Sequence, residues 1–265
     1  MLEENLKLID VVVEIVDARA PAATRNPDFD NLFSQKRRII LLNKSDLANP
    51  QLSHAWIAHY REQDILACEI AASSGKGKKQ AVALLERSIA AEVARLREKG
   101  MRKTVRALVV GIPNVGKSTF INSLAGAVRT QTGDRPGVTK GKQWVRITPY
   151  LELMDSPGLL WPKLENPGMA MHLAFLGSIN DEIMDIEQLA TELLVKLQTL
   201  APETLFERYG KITVNTTPDE LLSAVCVSRG FLLAKGQLDT ERATRIVLNE
   251  FRGGKLGRIT LEKPI

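Results

Sequence analysis

One short segment, Gly111-Ile-Pro-Asn-Val-Gly116-Lys117-Ser118, constrains this chain more than any other. It fits the pattern G-x-x-x-x-G-K-[ST], which commits its surroundings to one local shape. The Val- and Leu-rich run Val105–Val110 enters it, and a helical stretch, Ser118–Leu124, leaves it. In a strand–loop–helix unit of this kind the glycines let backbone N–H groups turn inward, and the helix N-terminus adds its positive end. A phosphate chain is therefore the fitting occupant. Lys117 is placed to reach β- and γ-phosphates and the Ser118 hydroxyl to ligate Mg²⁺, while Asn114, Val115, Gly116 and Thr119 complete the cradle. A plain glycine-rich turn before a helix would have no need of Lys-Ser at that point.

The rest of the first 164 residues supplies a sheet to carry such a loop. Asp10–Val16, Arg38–Leu42 and Val105–Val110 are short apolar runs rich in β-branched residues, as expected of parallel strands buried on both faces. Ile65–Ile70 is a weaker one, and Gln143–Ile147 with Tyr150–Met154 forms a hairpin across Thr148-Pro149 at the sheet edge. A helix is expected over Lys79–Lys99, where Val82, Leu85, Ile89, Val93 and Leu96 share a face and Gly100 follows as a stop. Strands alternating with helices make this an α/β fold with a mostly parallel sheet. From residue 165 to 265 the pattern turns helical: Asp185–Leu200, Pro218–Ser228 and Thr240–Phe251 all read as amphipathic helices. Two domains, 1–164 and 165–265, are expected.

Asn43-Lys44-Ser45-Asp46 directly follows the run Arg38–Leu42, at the strand end where open α/β sheets bind ligands. The Asp46 carboxylate can accept from guanine N1–H and its 2-amino group, and the Asn43 amide can bond the N7/O6 edge. Adenine offers neither donor, and a polar site left unpaired rejects the wrong ligand by up to about 10⁴–10⁵. Thirty residues beyond Asn43, Ser73-Ser74-Gly75 follows the weak strand as a turn able to offer backbone N–H to guanine O6. Asp155-Ser-Pro-Gly158 closes the run Tyr150–Met154, 38 residues after Lys117. An acid there suits Mg²⁺, held through water, and the Gly158 N–H suits a γ-phosphate. In Arg135-Pro-Gly-Val-Thr139, Thr139 is placed to complete the Mg²⁺ shell, so Lys117, Thr139 and Gly158 form the expected catalytic set. The order of these elements is rotated: base, base, phosphate, Mg²⁺ loop, γ-sensor, where most Ras-like GTPases begin with the phosphate loop.

The bulk properties exclude some classes. Leu8–Val16 is apolar but interrupted by Asp10 and Glu14, too short and too charged to span a membrane or act as a signal peptide. The two cysteines, Cys68 and Cys226, have no metal-ligand spacing, and two reduced thiols in a cytoplasm are expected. The net charge of +5 is unevenly spread: Lys76–Arg106 holds ten basic against three acidic residues, and Glu165–Ser228 three against ten. From Arg229 onward the balance is eight to four. Either a nucleic-acid footprint or a solvated helix face would give that pattern.

These motifs, with Val16-Asp17-Ala18-Arg19-Ala-Pro21, Arg25-Asn26-Pro27 and Leu160-Trp161-Pro162, closely resemble the circularly permuted GTPases of the RbgA/YlqF family, the ribosome biogenesis GTPase A group. The match runs over nearly the whole chain. It implies a circularly permuted Ras-like P-loop GTPase domain with a smaller C-terminal α-helical domain. It further implies a cytoplasmic GTPase that binds GTP and GDP and aids late assembly of the large ribosomal subunit through rRNA and ribosomal proteins. The sequence does not state an oligomeric state, and a monomer is the simplest expectation.

Two departures shape the expected mechanism. Leu159 stands after Gly158, where Ras-like enzymes place a water-orienting Gln, so unassisted hydrolysis should be slow. Such hydrophobic-substituted GTPases can hold K⁺ near the phosphates, with Asn114 as the candidate ligand. Family members also carry an N-terminal aromatic-Pro-Gly-His motif that does not occur here, and His54, His59 and His172 fall in no motif. Either the sequence is a truncated form, or hydrolysis depends on K⁺ and the partner. The expected RNA contacts are Lys76–Arg106 and the tail residues Arg242, Arg245, Arg252, Lys255 and Arg258. A nucleotide-gated RNA-binding scaffold with negligible turnover is the competing reading. An ATP-dependent enzyme would require NKSD to be an accident.

Overall fold

A computed structural model describes residues 7–98, 100, 104–126, 144–148, 151–156, 158, 166–179 and 185–264. The chain divides into two compact units, residues 1–163 with 262–265, and residues 164–261.

Among the described residues the first unit holds six strands: β1 (Val11–Asp17), β2 (Arg37–Asn43), β3 (Leu66–Glu69), β4 (Val105–Val110), β5 (Trp144–Thr148) and β6 (Leu151–Asp155). With them come α1 (Asp28–Leu32), α2 (Pro50–Glu62), α3 (Lys78–Glu98) and α4 (Lys117–Ala125). The strand order is β3-β2-β1-β4-β6-β5, parallel except for the antiparallel pair β5–β6 at the edge. The permutation is visible here: β4, which feeds the phosphate loop, is fourth in sequence yet central, between β1 and β6.

The all-apolar strands follow from covering both faces of the sheet. Every residue of β1 is buried. Val12 joins Phe29, Phe33 and Leu108 in one cluster, and Val16 joins Ile40, Leu42, Trp56 and Tyr60 in another, so α1 and α2 cover the face these residues share. The helix α3 packs against β1, β2 and β3 through Ala81, Leu85 and Ile89. Asn49 starts α2 by accepting from Leu52 N–H at 3.0 Å, with Pro50 in the first turn.

Glu14, in the middle of β1, is 1% exposed. Burial raises its carboxyl pKa, and Arg38 at 2.6 Å and Arg25 at 3.6 Å oppose that rise. Both arginines also pair with Asp30, which ties the loop after β1 to β2 and α1. The last residues contribute to the same loop. The Glu262 carboxylate accepts from Ala22 N–H at 2.7 Å and Ala23 N–H at 3.2 Å, and its carbonyl accepts from Trp56 Nε1 at 3.4 Å.

The second unit contains α5 (Pro167–Phe175), α6 (Ile186–Leu200), α7 (Pro202–Tyr209), α8 (Pro218–Arg229) and α9 (Thr240–Arg252). Central α6 packs on the other four, burying Leu189, Leu193, Leu194 and Leu197. Side chains cap the starts: Asn166, Asp185 and Asp239 accept from N–H groups of the first turns of α5, α6 and α9. In the interior, Glu250 accepts from Tyr209 Oη at 2.9 Å and pairs with Arg208 and Arg229. Arg252 differs from its expected RNA-facing role. Its guanidinium donates to the carbonyls of Ala174 (2.8 Å) and Phe175 (3.1 Å), closing the C-terminal end of α5. No helix of the described residues is long and apolar enough to cross a membrane.

Candidate functional site

Four segments meet at the C-terminal ends of parallel strands. The turn Lys44–Asp46 leaves β2, the turn Ala71–Lys76 follows β3, the loop Gly111–Gly116 leaves β4, and Asp155 ends β6. The structure brings the first three together through one side chain. Asn43 Nδ2 donates to the Val115 carbonyl at 2.7 Å, and Asn43 Oδ1 accepts from Ala72 N–H at 2.9 Å. One N–H of the amide remains to meet a ligand. Gly116 sits at φ 96° directly against this amide, where a Cβ would collide with Asn43 Nδ2. That approach explains the second glycine of the motif.

Beyond the glycine, Lys117 opens α4 and is 8% exposed. Its ammonium donates to the carbonyls of Gly111 (3.0 Å) and Ile112 (2.9 Å), so it is folded back along the loop. Burial lowers its pKa from the ordinary lysine value, while Asp155 acts in the opposite direction. Ser118 Oγ donates to Asp155 Oδ2 at 2.9 Å, which brings a hydroxyl and a carboxylate from two different motifs to one point. Hard oxygen donors of this kind fit Mg²⁺. Gly158 lies against the loop from the other side: a Cβ on it would stand 3.0 Å from N, Cα and Cγ of Pro113.

The remaining expected residues are more open. Asn114 is exposed at φ 62° on the crest of the loop, and Thr119 is exposed on the first turn of α4. Asp46, Ser73 and Ser74 are exposed, and Ser74 Oγ donates to the Ala71 carbonyl at 3.2 Å. Asp46 therefore stands open to solvent. Thr139, Leu159, Leu160, Trp161 and Pro162 lie outside the described residues.

Residues with no assigned part in the sequence reading stand immediately behind this group. Asp17, at the end of β1, pairs in register with Asn43. Its carboxylate takes Arg19 through Nε (2.9 Å) and Nη2 (2.8 Å), and the Lys44 ammonium at 2.9 Å. An acidic residue closing an apolar strand beside the strand that ends in NKSD was the available signal.

A family described as "50S ribosome-binding GTPase" matches residues 106–206. The match opens one residue into β4, so the base-side motifs upstream fall outside it, as the rotated order requires. The "Ribosome biogenesis GTPase A" of Bacillus cereus is 42% identical over 262 residues, covering 98% of this chain and 88% of that protein. That of Priestia megaterium is 43% identical over 98% and 91%.

The chain belongs to the ribosome biogenesis GTPase A family.

A solved structure described as GNP-bound YlqF from T. maritima covers 99% of this chain and 96% of its own, with 29% identity and a TM-score of 0.69. Its GDP-bound counterpart covers 99% and 98%, with the same TM-score. As a member of the ribosome biogenesis GTPase A family, the chain carries a permuted GTPase domain, binds guanine nucleotide and continues into a helical C-terminal region.

Proposed function

We propose that this chain binds GTP at the strand-end site and hydrolyses it while assisting late maturation of the large ribosomal subunit, in contact with rRNA. The convergence of the base-side turns and the phosphate loop on Asn43 carries the nucleotide reading, because one side chain joins the segments that must hold the two ends of one ligand. The printed names of the relatives support the ribosomal part.

In this reading Asp46 and Asn43 select the base, and the turn carrying Ser73 and Ser74 closes over its edge. Asn114 to Thr119 wrap the phosphates. Lys117 exchanges its two loop carbonyls for β- and γ-phosphate oxygens, regaining the charge partners that burial makes necessary. Ser118, Asp155 and Thr139 would hold Mg²⁺, which when bound neutralises charge between the β- and γ-phosphates. Gly158 N–H faces the γ-phosphate, and its close approach to Pro113 makes its position depend on the phosphate loop. Asn114, at the crest of that loop, is the proposed K⁺ ligand. Leu159 offers no group to orient water, so turnover is slow without K⁺ and the subunit. Exposed basic residues Lys79, Arg87 and Arg95 on α3, and Lys255 and Arg258 after α9, are the proposed RNA contacts.

The test is GTP hydrolysis in K⁺ against Na⁺, with and without purified large subunits. Stimulation by both supports the proposal. Tight GTP binding with unchanged, negligible turnover in all four conditions would favour the RNA-binding scaffold instead.

A further inference from the structure

Lys44 lies inside the base-reading motif, yet its ammonium is paired with an acid at the end of the neighbouring strand. Its backbone takes the left-handed conformation, φ 60°, which disfavours every residue that has a Cβ. The turn toward Asp46 is built on that conformation: the Lys44 carbonyl accepts from Leu47 N–H at 2.9 Å, and Ser45 N–H donates to the Ile70 carbonyl at 3.1 Å. The side chain then runs back to Asp17, where the ammonium pairs with Oδ2 at 2.9 Å.

Asp17 is a firm anchor. It is 1% exposed, and Arg19 grips it through Nε and Nη2, with Arg19 N–H also donating to Oδ1 at 3.0 Å. Thr24 Oγ1 accepts from Asp17 N–H at 2.9 Å, and Ala18 N–H donates to the Asn43 carbonyl at 2.8 Å. The anchor is thus fixed to β2 one residue before the strained turn begins. Burial alone would raise the carboxyl pKa, but Arg19 and Lys44 outweigh it and hold it below the ordinary range, so the anchor is ionised at neutral pH.

We propose that Asp17 is a positioning residue for guanine recognition: by holding the Lys44 ammonium it keeps the turn after β2 left-handed, and so sets the direction of the Asp46 carboxylate. Arg19 braces the anchor. The inference rests on the reading of Asp46 as the base-selecting acid. It assigns to the Asp17-Ala-Arg19 segment a part in nucleotide selectivity, although neither charged residue needs to touch the nucleotide.

The experiment compares affinities for GDP and for inosine diphosphate, which lacks the 2-amino group that Asp46 would accept from. In Asp17→Asn and Lys44→Met, GDP affinity should fall by about tenfold and inosine diphosphate affinity by less, because nothing then offsets the strain of the left-handed turn. The ratio of the two then shrinks toward one. Lys44→Gly loses the same ammonium but adopts the left-handed turn freely, so it should retain more of the ratio than Lys44→Met. Lys44→Met acts on a partly exposed side chain and keeps the test informative if Asp17→Asn fails to fold. A wild-type ratio in Lys44→Met, or weaker discrimination in Lys44→Gly than in Lys44→Met, overturns the proposal. A wild-type protein that binds GDP no better than ADP overturns the base-site reading itself.

Discussion

Asn43 Nδ2 donates to the Val115 carbonyl at 2.7 Å, so the base-side turn and the phosphate loop share one side chain. Val115 is fully buried and Ala72, whose N–H bonds the same amide, is 6% exposed. In Asn43→Ala both backbone groups lose their partner, at a cost of about 2–4 kcal/mol. Where the free loops relax to repair those groups and binding must restore them, GDP affinity falls by up to roughly 30- to 1,000-fold, read by titration of a fluorescent GDP analogue. A loss below about threefold would show that the two loops keep their shape without the bridge.

The proposed role of Gly158 predicts that hydrolysis and binding can be separated there. Its hydrogen faces three atoms of Pro113, two of them backbone, so Gly158→Ala must displace one segment from the other. Single-turnover GTP hydrolysis should slow by at least about tenfold, as small misplacements of reacting groups do, while GDP affinity stays within a few-fold. Equal losses in both would place Gly158 in general nucleotide binding.

The folded-back Lys117 makes nucleotide affinity depend on pH. Burial lowers its pKa in the nucleotide-free protein, and phosphates would raise it on binding. Binding then takes up a proton when the pH lies between the two values. GDP affinity should be constant below the lowered value and fall as pH rises through it toward the ordinary lysine range. Lys117→Arg, which stays protonated, should remove that slope in a titration series from neutral to alkaline pH.

In the helical unit, Glu250 is the acid-labile point. Burial raises its carboxyl pKa, but hydrogen bonds from Arg208 and Tyr209 and the charge of Arg229 bring the net value below the ordinary one. A depressed carboxyl pKa contributes stability above the unfolded value and loses it as pH falls through the folded value. Glu250→Gln should therefore lower the melting temperature at neutral pH and flatten its decline in acid. The check is thermal unfolding from pH 7 downward, followed by circular dichroism at helical wavelengths.

Local signals made much of this fold legible. The run Val105–Val110 is a strand over those same residues, and the hairpin read across Thr148-Pro149 appears as the antiparallel edge pair β5–β6. Helices Ile186–Leu200, Pro218–Arg229 and Thr240–Arg252 fall within two residues of their expected bounds because each has a cap, an apolar stripe and a stop. Short Pro167–Phe175 and Pro202–Tyr209 escaped notice, the first being apolar with little periodicity to read. The candidate site was legible as a set of strand ends. Its contacts were not, since a sequence pattern does not state which carbonyl Asn43 meets, 72 residues away, or that Lys44 turns back to Asp17. Arg252 shows the same limit: counted as surface charge, it closes a helix instead.

The grip of Glu262 on the Ala22 and Ala23 amides also sets an order of events during synthesis. Domains form as the chain emerges, N-terminal parts first, at about 5–20 residues per second. The described strands of the first unit have all been translated by Asp155, but the residue that seals the loop after β1 follows only when 164–261 have been translated. For something on the order of ten seconds that loop waits open. A sealed first unit is thus a chemical receipt that the whole helical unit has been made.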